Sequence, residues 1–149
     1  MAPASPRMLL VDDDPSIVRF LANRFAEIGF EVEIATDGLQ AVVLAGRCQP
    51  DLLVADVRLP KVDGLSLCEC LARTGGERMV TIVISGSESR EIAPLCDKIG
   101  ASFARKGADL WATIEAIIAK SFPAVASRTT DPSGLRPRGR RFTHHRRTT

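Results

Sequence analysis

The sequence predicts an α/β protein, a doubly wound parallel sheet of five strands with helices on both faces. Short apolar runs alternate five times with helical patterns between residues 8 and 121, as strand–helix units in series do. Three of the runs, 8–11, 52–55 and 80–84, are apolar but for Thr81, as strands covered on both faces are. These first, third and fourth strands should therefore be central. A third observation is that polar residues close the runs, with Asp12, Asp56 and Ser85 at strand ends.

The first strand is 8–12. A helix over 15–28 follows, with apolar residues at 17, 18, 20, 21, 25 and 28. Asp14 and Pro15 give it an N-cap and a first-turn proline, and Gly29 stops it. Residues 31–35 alternate polar and apolar, as a half-buried or edge strand does. Asp37 caps a second helix ending near Gly46. Residues 51–56 form the third strand. The third helix, 64–74, ends at Gly75-Gly76. Residues 80–85 are a β-branched fourth strand. A fourth helix over 87–99 is weakened by Pro94. A short fifth strand, 101–104, precedes a last helix over 108–121, whose stripe is Leu110, Trp111, Ile114, Ile117 and Ile118.

At 149 residues the chain supports one domain with a substantial core. Its net charge of +2 hides an uneven distribution. Residues 123–149 carry seven Arg and one Asp, so a tail of +6 leaves the body at −4. The expected layout is an N-terminal extension over 1–6, one domain over 7–121 and a basic, disordered tail over 122–149. Non-specific contact of that tail with nucleic acid or an acidic partner is a second reading. Specific DNA binding is argued against, since no helix-turn-helix pattern is present. Cys48, Cys68, Cys70 and Cys96 lack zinc-ligand spacing and read as small buried hydrophobes in a reducing cytoplasm. No apolar run approaches the ~18 residues of a membrane span, so the expectation is a soluble, cytoplasmic protein.

In a parallel sheet Asp12, Asp13, Asp56, Ser85 and Lys106 all fall at the carboxyl edge, where such sheets bind ligands. Converging carboxylates repel unless a cation joins them. Mg²⁺ suits such hard oxygen donors and leaves a position for a phosphoryl oxygen. Asp56 is then a candidate carboxylate nucleophile. Lys106 would neutralise phosphoryl oxygens, Ser85 would donate to them, and Gly86 would leave room. No histidine lies near to act as general base, which suits an already activated phosphoryl donor.

Over residues 7–121 the chain resembles the receiver domain of two-component response regulators. The resemblance rests on MLLVDDDPS, DLLVADVRLPKVDGL, TIVISG and SFARKG, in that order. It implies a flavodoxin-like (βα)5 three-layer sandwich with strand order 2-1-3-4-5. It implies a stand-alone phosphorelay receiver, not an enzyme, with Asp56 as phosphoacceptor. Mg²⁺, or Mn²⁺ in its place, would be bound by Asp13, Asp56 and the Arg58 backbone carbonyl, with Asp12 acting through water. Ser85 and Phe103 would be the switch pair and Lys106 the phosphate-contacting lysine. The partners implied are a sensor histidine kinase or histidine phosphotransfer protein, and an unidentified downstream protein. A homodimer through the fourth helix, fifth strand and fifth helix is compatible with this reading. The chain departs from the family at Gly107, where receivers usually carry proline, and Phe103 lacks a tyrosine hydroxyl. A phosphorylation-independent adaptor is one alternative. An aspartyl-phosphate hydrolase of the haloacid dehalogenase type is another, opposed by Arg58 where that family has a second aspartate.

Overall fold

The computed structural model describes residues 4–74, 78–86, 89–125 and 142–143. The strands are β1 (Arg7–Val11), β2 (Glu31–Ala35), β3 (Leu52–Asp56), β4 (Val80–Ser85), β5 (Ser102–Arg105) and a short β6 (Phe142–Thr143). The helices are α1 (Pro15–Glu27), α2 (Gly38–Cys48), α3 (Gly64–Thr74), α4 (Ser89–Ile99) and α5 (Leu110–Ser121). All strand pairings are parallel, in the order β5-β4-β3-β1-β2-β6. The first five strands therefore have the order 2-1-3-4-5, with β1, β3 and β4 inside, as their composition requires.

Successive residues of each strand face opposite layers. Met8, Leu10, Leu52, Val54, Ile82 and Ile84 pack under α1 and α5 with Phe25, Leu21 and Ile114. Leu9, Val11, Leu53, Ala55 and Val83 pack under α2, α3 and α4 with Leu44, Leu67 and Ile92. This alternation explains why the central strands read as continuous apolar runs.

Local signals set the helix boundaries. Asp14 caps α1 by accepting from the Ser16 N–H at 2.9 Å, and Asp37 caps α2 by accepting from Gln40 at 2.8 Å. Asp63 accepts from the Ser66 N–H and hydroxyl at the start of α3. The expected end of the second helix near Gly46 was two residues short. Cys48 is its last residue, and Gln49 turns the chain with φ 47°, a left-handed conformation uncommon outside glycine. Pro94 lies inside α4, which nonetheless continues to Ile99.

Two expectations about the chain's end need correction. The core does not stop at residue 121: Val125 is buried, and the Phe122 ring meets Phe30 edge-on at 5.2 Å. Residues 142–143 pair with β2 as a sixth strand. The rest of the expected disordered tail lies outside the described residues. The cysteines also divide. Cys68 and Cys96 are buried, and burial pushes the Cys68 thiol up to about 12, whereas Cys48 is half-buried and Cys70 exposed. No helix among the described residues is long and apolar enough to cross a membrane.

Candidate phosphoryl and metal site

The site is built at the carboxyl edge of β1, β3, β4 and β5. Asp12 follows β1 and Asp56 ends β3; both are buried. Asp13 lies beside them, exposed. Carboxylate oxygens of the three come within 4.8 Å of one another. Lys106, just past β5, reaches into this group. Its Nζ donates to Asp56 Oδ2 at 3.1 Å and lies 3.0 Å from Asp12 Oδ2. The second contact is off the hydrogen-bond direction, so it is an ion pair and Asp12 Oδ2 has no aligned donor.

Backbone groups hold the carboxylates. Asp12 Oδ1 accepts the Asp14 N–H at 2.9 Å, and Asp56 Oδ1 accepts the Arg58 N–H at 3.3 Å. The Lys106 N–H donates to the Ser85 carbonyl at 2.8 Å, which ties the lysine to the end of β4. Gly107, where the resemblance leads one to expect proline, therefore follows a residue anchored by both backbone and side chain. No peptide bond is cis among the described residues.

The electrostatics describe excess negative charge. Burial raises the Asp12 carboxyl above its ordinary value; the Asp14 N–H and Lys106 oppose this, and Asp56 adds to it. Burial works against the Lys106 ammonium, but Asp12 and Asp56 outweigh it and hold that pKa above the ordinary value. Both groups keep their protons more firmly than in water. Three clustered oxygen donors with one lysine fit a hard divalent cation, which would relieve that charge.

Lys106→Met tests this balance. Asp12 and Asp56 would lose their cation, and the cost is expected to be about 2 kcal/mol at neutral pH. That is less than for a fully buried pair, because Lys106 keeps some exposure. The sign depends on pH. The lysine's raised pKa stabilises the fold below the ordinary 10.5, a contribution lost as pH rises through the raised folded value. Asp12 protonation removes the charge to be neutralised, so the difference also shrinks as pH falls through its raised pKa. Urea unfolding of parent and variant across pH should thus diverge only between those limits. A constant difference at every pH would refute the electrostatic account.

The remaining expected residues are close by in the fold. Ser85 is buried at the end of β4, and Val83 pairs with Phe103 across β4 and β5. Phe103 is half-buried against the α2–α3–α4 layer. Sequence reasoning missed two features. One is Gly64, whose close approach to the Asp56 backbone only the loop geometry reveals. The other is a cavity of about 430 Å³ beside Asp12 and Asp13, walled by Val18, Arg19 and Asn23 of α1 and by Ile34 and Thr36. The spacing of 15, 18, 19, 22 and 23 along one helix was its only sequence signal.

The comparisons with known proteins agree with this geometry. A family model described as the response regulator receiver domain matches residues 8–109. The response regulator MprA of Mycobacterium leprae (strain TN) is 33% identical over 126 residues, 81% of this chain and 54% of that protein. The DNA-binding dual master transcriptional regulator RpaA of Synechocystis is 43% identical over 68 residues, 46% of this chain and 28% of that protein. The chain thus spans about half, or less, of the length of these curated relatives. A response regulator from Burkholderia pseudomallei, solved with a phosphorylated aspartic acid, calcium ion and citrate, is 25% identical. It superposes with a TM-score of 0.67 over 83% of this chain and 71% of that one.

Proposed function

Because this chain belongs to the response regulator receiver domain family of two-component signal transduction, we propose that it accepts a phosphoryl group on Asp56. The donor is a phosphohistidine on a sensor histidine kinase or histidine phosphotransfer protein. Family members bind Mg²⁺ in an acidic pocket and act as signalling domains rather than enzymes. The single observation that carries the proposal is the convergence of Asp12, Asp13 and Asp56 on one point, with Lys106 reaching both buried carboxylates. A relative crystallised with a phosphorylated aspartate and a calcium ion supports the same chemistry.

In this reading an Asp56 carboxylate oxygen attacks the phosphorus. The P–N bond to the donor imidazole breaks, and its electron pair stays on the imidazole nitrogen. Asp13, Asp56 and the Arg58 backbone carbonyl would hold Mg²⁺, with Asp12 ordering its water. The cation supplies charge neutralisation at the phosphoryl oxygens. Lys106, already 3.1 Å from Asp56, follows the developing charge. Ser85 donates its hydroxyl to the transferred group, and Phe103 turns inward behind it. Together they bias a two-state equilibrium of the face made by α4, β5 and α5. Within these residues the signal leaves by protein contact on that face, or the phosphate is handed on.

Incubation with Mg²⁺ and acetyl phosphate tests the proposal. The expected product carries one phosphoryl group by intact mass, stable in acid and labile in alkali, and chelation prevents its formation. An unmodified protein under these conditions would favour the adaptor reading.

A further inference from the structure

Helix α2 is apolar on both its faces. Ala41 and Leu44 on its inner face belong to the core layer that holds Leu9 and Leu53. The outer face is apolar too, since no charged residue occurs from Gly38 to Gly46. Among the described residues five large hydrophobic side chains are exposed, and three of them, Leu39, Val42 and Val43, lie here, 40–58% exposed. With Gly46 they have the three-and-four spacing of one helical face. A helix that is hydrophobic all round is one that is covered on both sides. A groove of about 590 Å³ runs beside this stripe, between α2 and α3, with Val42 and Gly46 on one wall and Cys70 and Leu71 on the other.

We infer that the outer face of α2 docks on the same face of a second copy of this chain, the two helices antiparallel about a two-fold axis between Val42 and Val43. Charge selects both the occupant and the orientation. Asp37 caps the N-terminus of α2, and Arg47 lies in its last turn. Antiparallel pairing brings the basic end of each helix to the acidic end of the other and opposes the helix dipoles; parallel pairing would align like ends. A strongly charged partner meets no complementary charge between those ends, and the exposed ion pair on α3, Glu69 with Arg73, is already closed at 2.8 Å. Shape fixes the register. The axis sets Val42 and Val43 against their own copies, and each Leu39 opposite the partner copy's glycine at 46. A Cβ at Gly46 would meet nothing within 4 Å, so this glycine leaves a hollow on the groove wall that receives the leucine. An 11-residue helix is about 16 Å long. One such pair buries less than the roughly 1,200 Å² of a standard interface, so the dimer is weak and forms at high micromolar concentration. The face of α4, β5 and α5 stays free.

Sedimentation equilibrium of the full chain, from about 10 μM to about 1 mM to span weak association, tests this. The parent is expected to pass from monomer toward dimer across that range. Val42→Lys and Val42→Glu, at an exposed position, are each expected to weaken self-association about tenfold or more, because two like charges meet near the axis. An equimolar mixture of the two should recover the dimer, which also shows that both variants are folded. Leu95→Glu, on the exposed side of α4, should associate as the parent does. A parent that stays monomeric throughout would overturn the inference, as would a mixture that stays monomeric or Val42 variants that dimerise like the parent. Loss of the dimer in Leu95→Glu alone would move the contact to α4 and overturn it too. Metal and phosphodonor are absent throughout, so the outcome is independent of the phosphoacceptor reading.

Discussion

Asp56→Asn is expected to abolish phosphoryl incorporation while leaving the metal-free fold at least as stable as the parent. The substitution keeps the shape of the side chain. Its amide oxygen can still accept from Lys106, as Asp56 Oδ2 does at 3.1 Å. What is lost is the anionic oxygen that bonds to phosphorus, so incorporation should fall to background, about 10³-fold or more by analogy with removal of other nucleophiles. The stability expectation follows from crowding. Asp12, Asp13 and Asp56 have oxygens within 4.8 Å of one another and share one lysine. Neutralising one relieves repulsion. Mg²⁺ should raise the parent's unfolding midpoint and do so much less for the variant, because the bound ion stabilises only the native state. Intact mass after acetyl phosphate treatment, with thermal unfolding in Mg²⁺ and in chelator, would read both effects. Full incorporation by the variant would place the acceptor elsewhere.

The central place of β1, β3 and β4 was legible because burial on two faces writes itself as nearly continuous apolar runs, whereas the full strand order came only from the family resemblance. The acidic cluster was legible because each run stops on the residue that the sheet presents at its carboxyl edge. The caps Asp14 and Asp37 were legible because capping is a local interaction. The unread features are non-local or conformational. The end of α2 rests on the left-handed backbone of Gln49, which residue type does not announce. β6 arises where a polar, arginine-rich stretch meets the edge of β2, and pairing of that kind uses backbone groups that every residue carries. The cavity beside Asp13 is walled by residues of α1 and of the end of β2, which only the tertiary fold brings together. Gly64 read only as the start of the third helix, yet its role depends on the Asp56 and Val57 backbone that lies against it.

Gly64→Ala is expected to destabilise the protein and disable the site together. Gly64 opens α3, is buried, and donates its N–H to the Val57 carbonyl at 2.9 Å. A Cβ there would overlap the Asp56 carbonyl oxygen and lie 2.8 Å from Val57 Cα and 2.9 Å from the Asp56 carbonyl carbon. All three neighbours are backbone, so no side chain can rotate aside. Either α3 moves outward and opens the layer around Leu67 and Cys68, or the end of β3 shifts and carries Asp56 with it. Overpacking of this kind costs about 3 kcal/mol or more. A displacement of Asp56 by about 1 Å would slow phosphoryl transfer roughly 10²-fold. Gly46→Ala supplies the contrast. It lies within α2, where a Cβ meets nothing within 4 Å, so alanine should stabilise by up to about 1 kcal/mol through helix propensity. Urea midpoints should therefore move in opposite directions for the same chemical change. A Gly64→Ala protein with parental stability and parental incorporation would show that the α3 entry yields freely, and that Asp56 is not held by it.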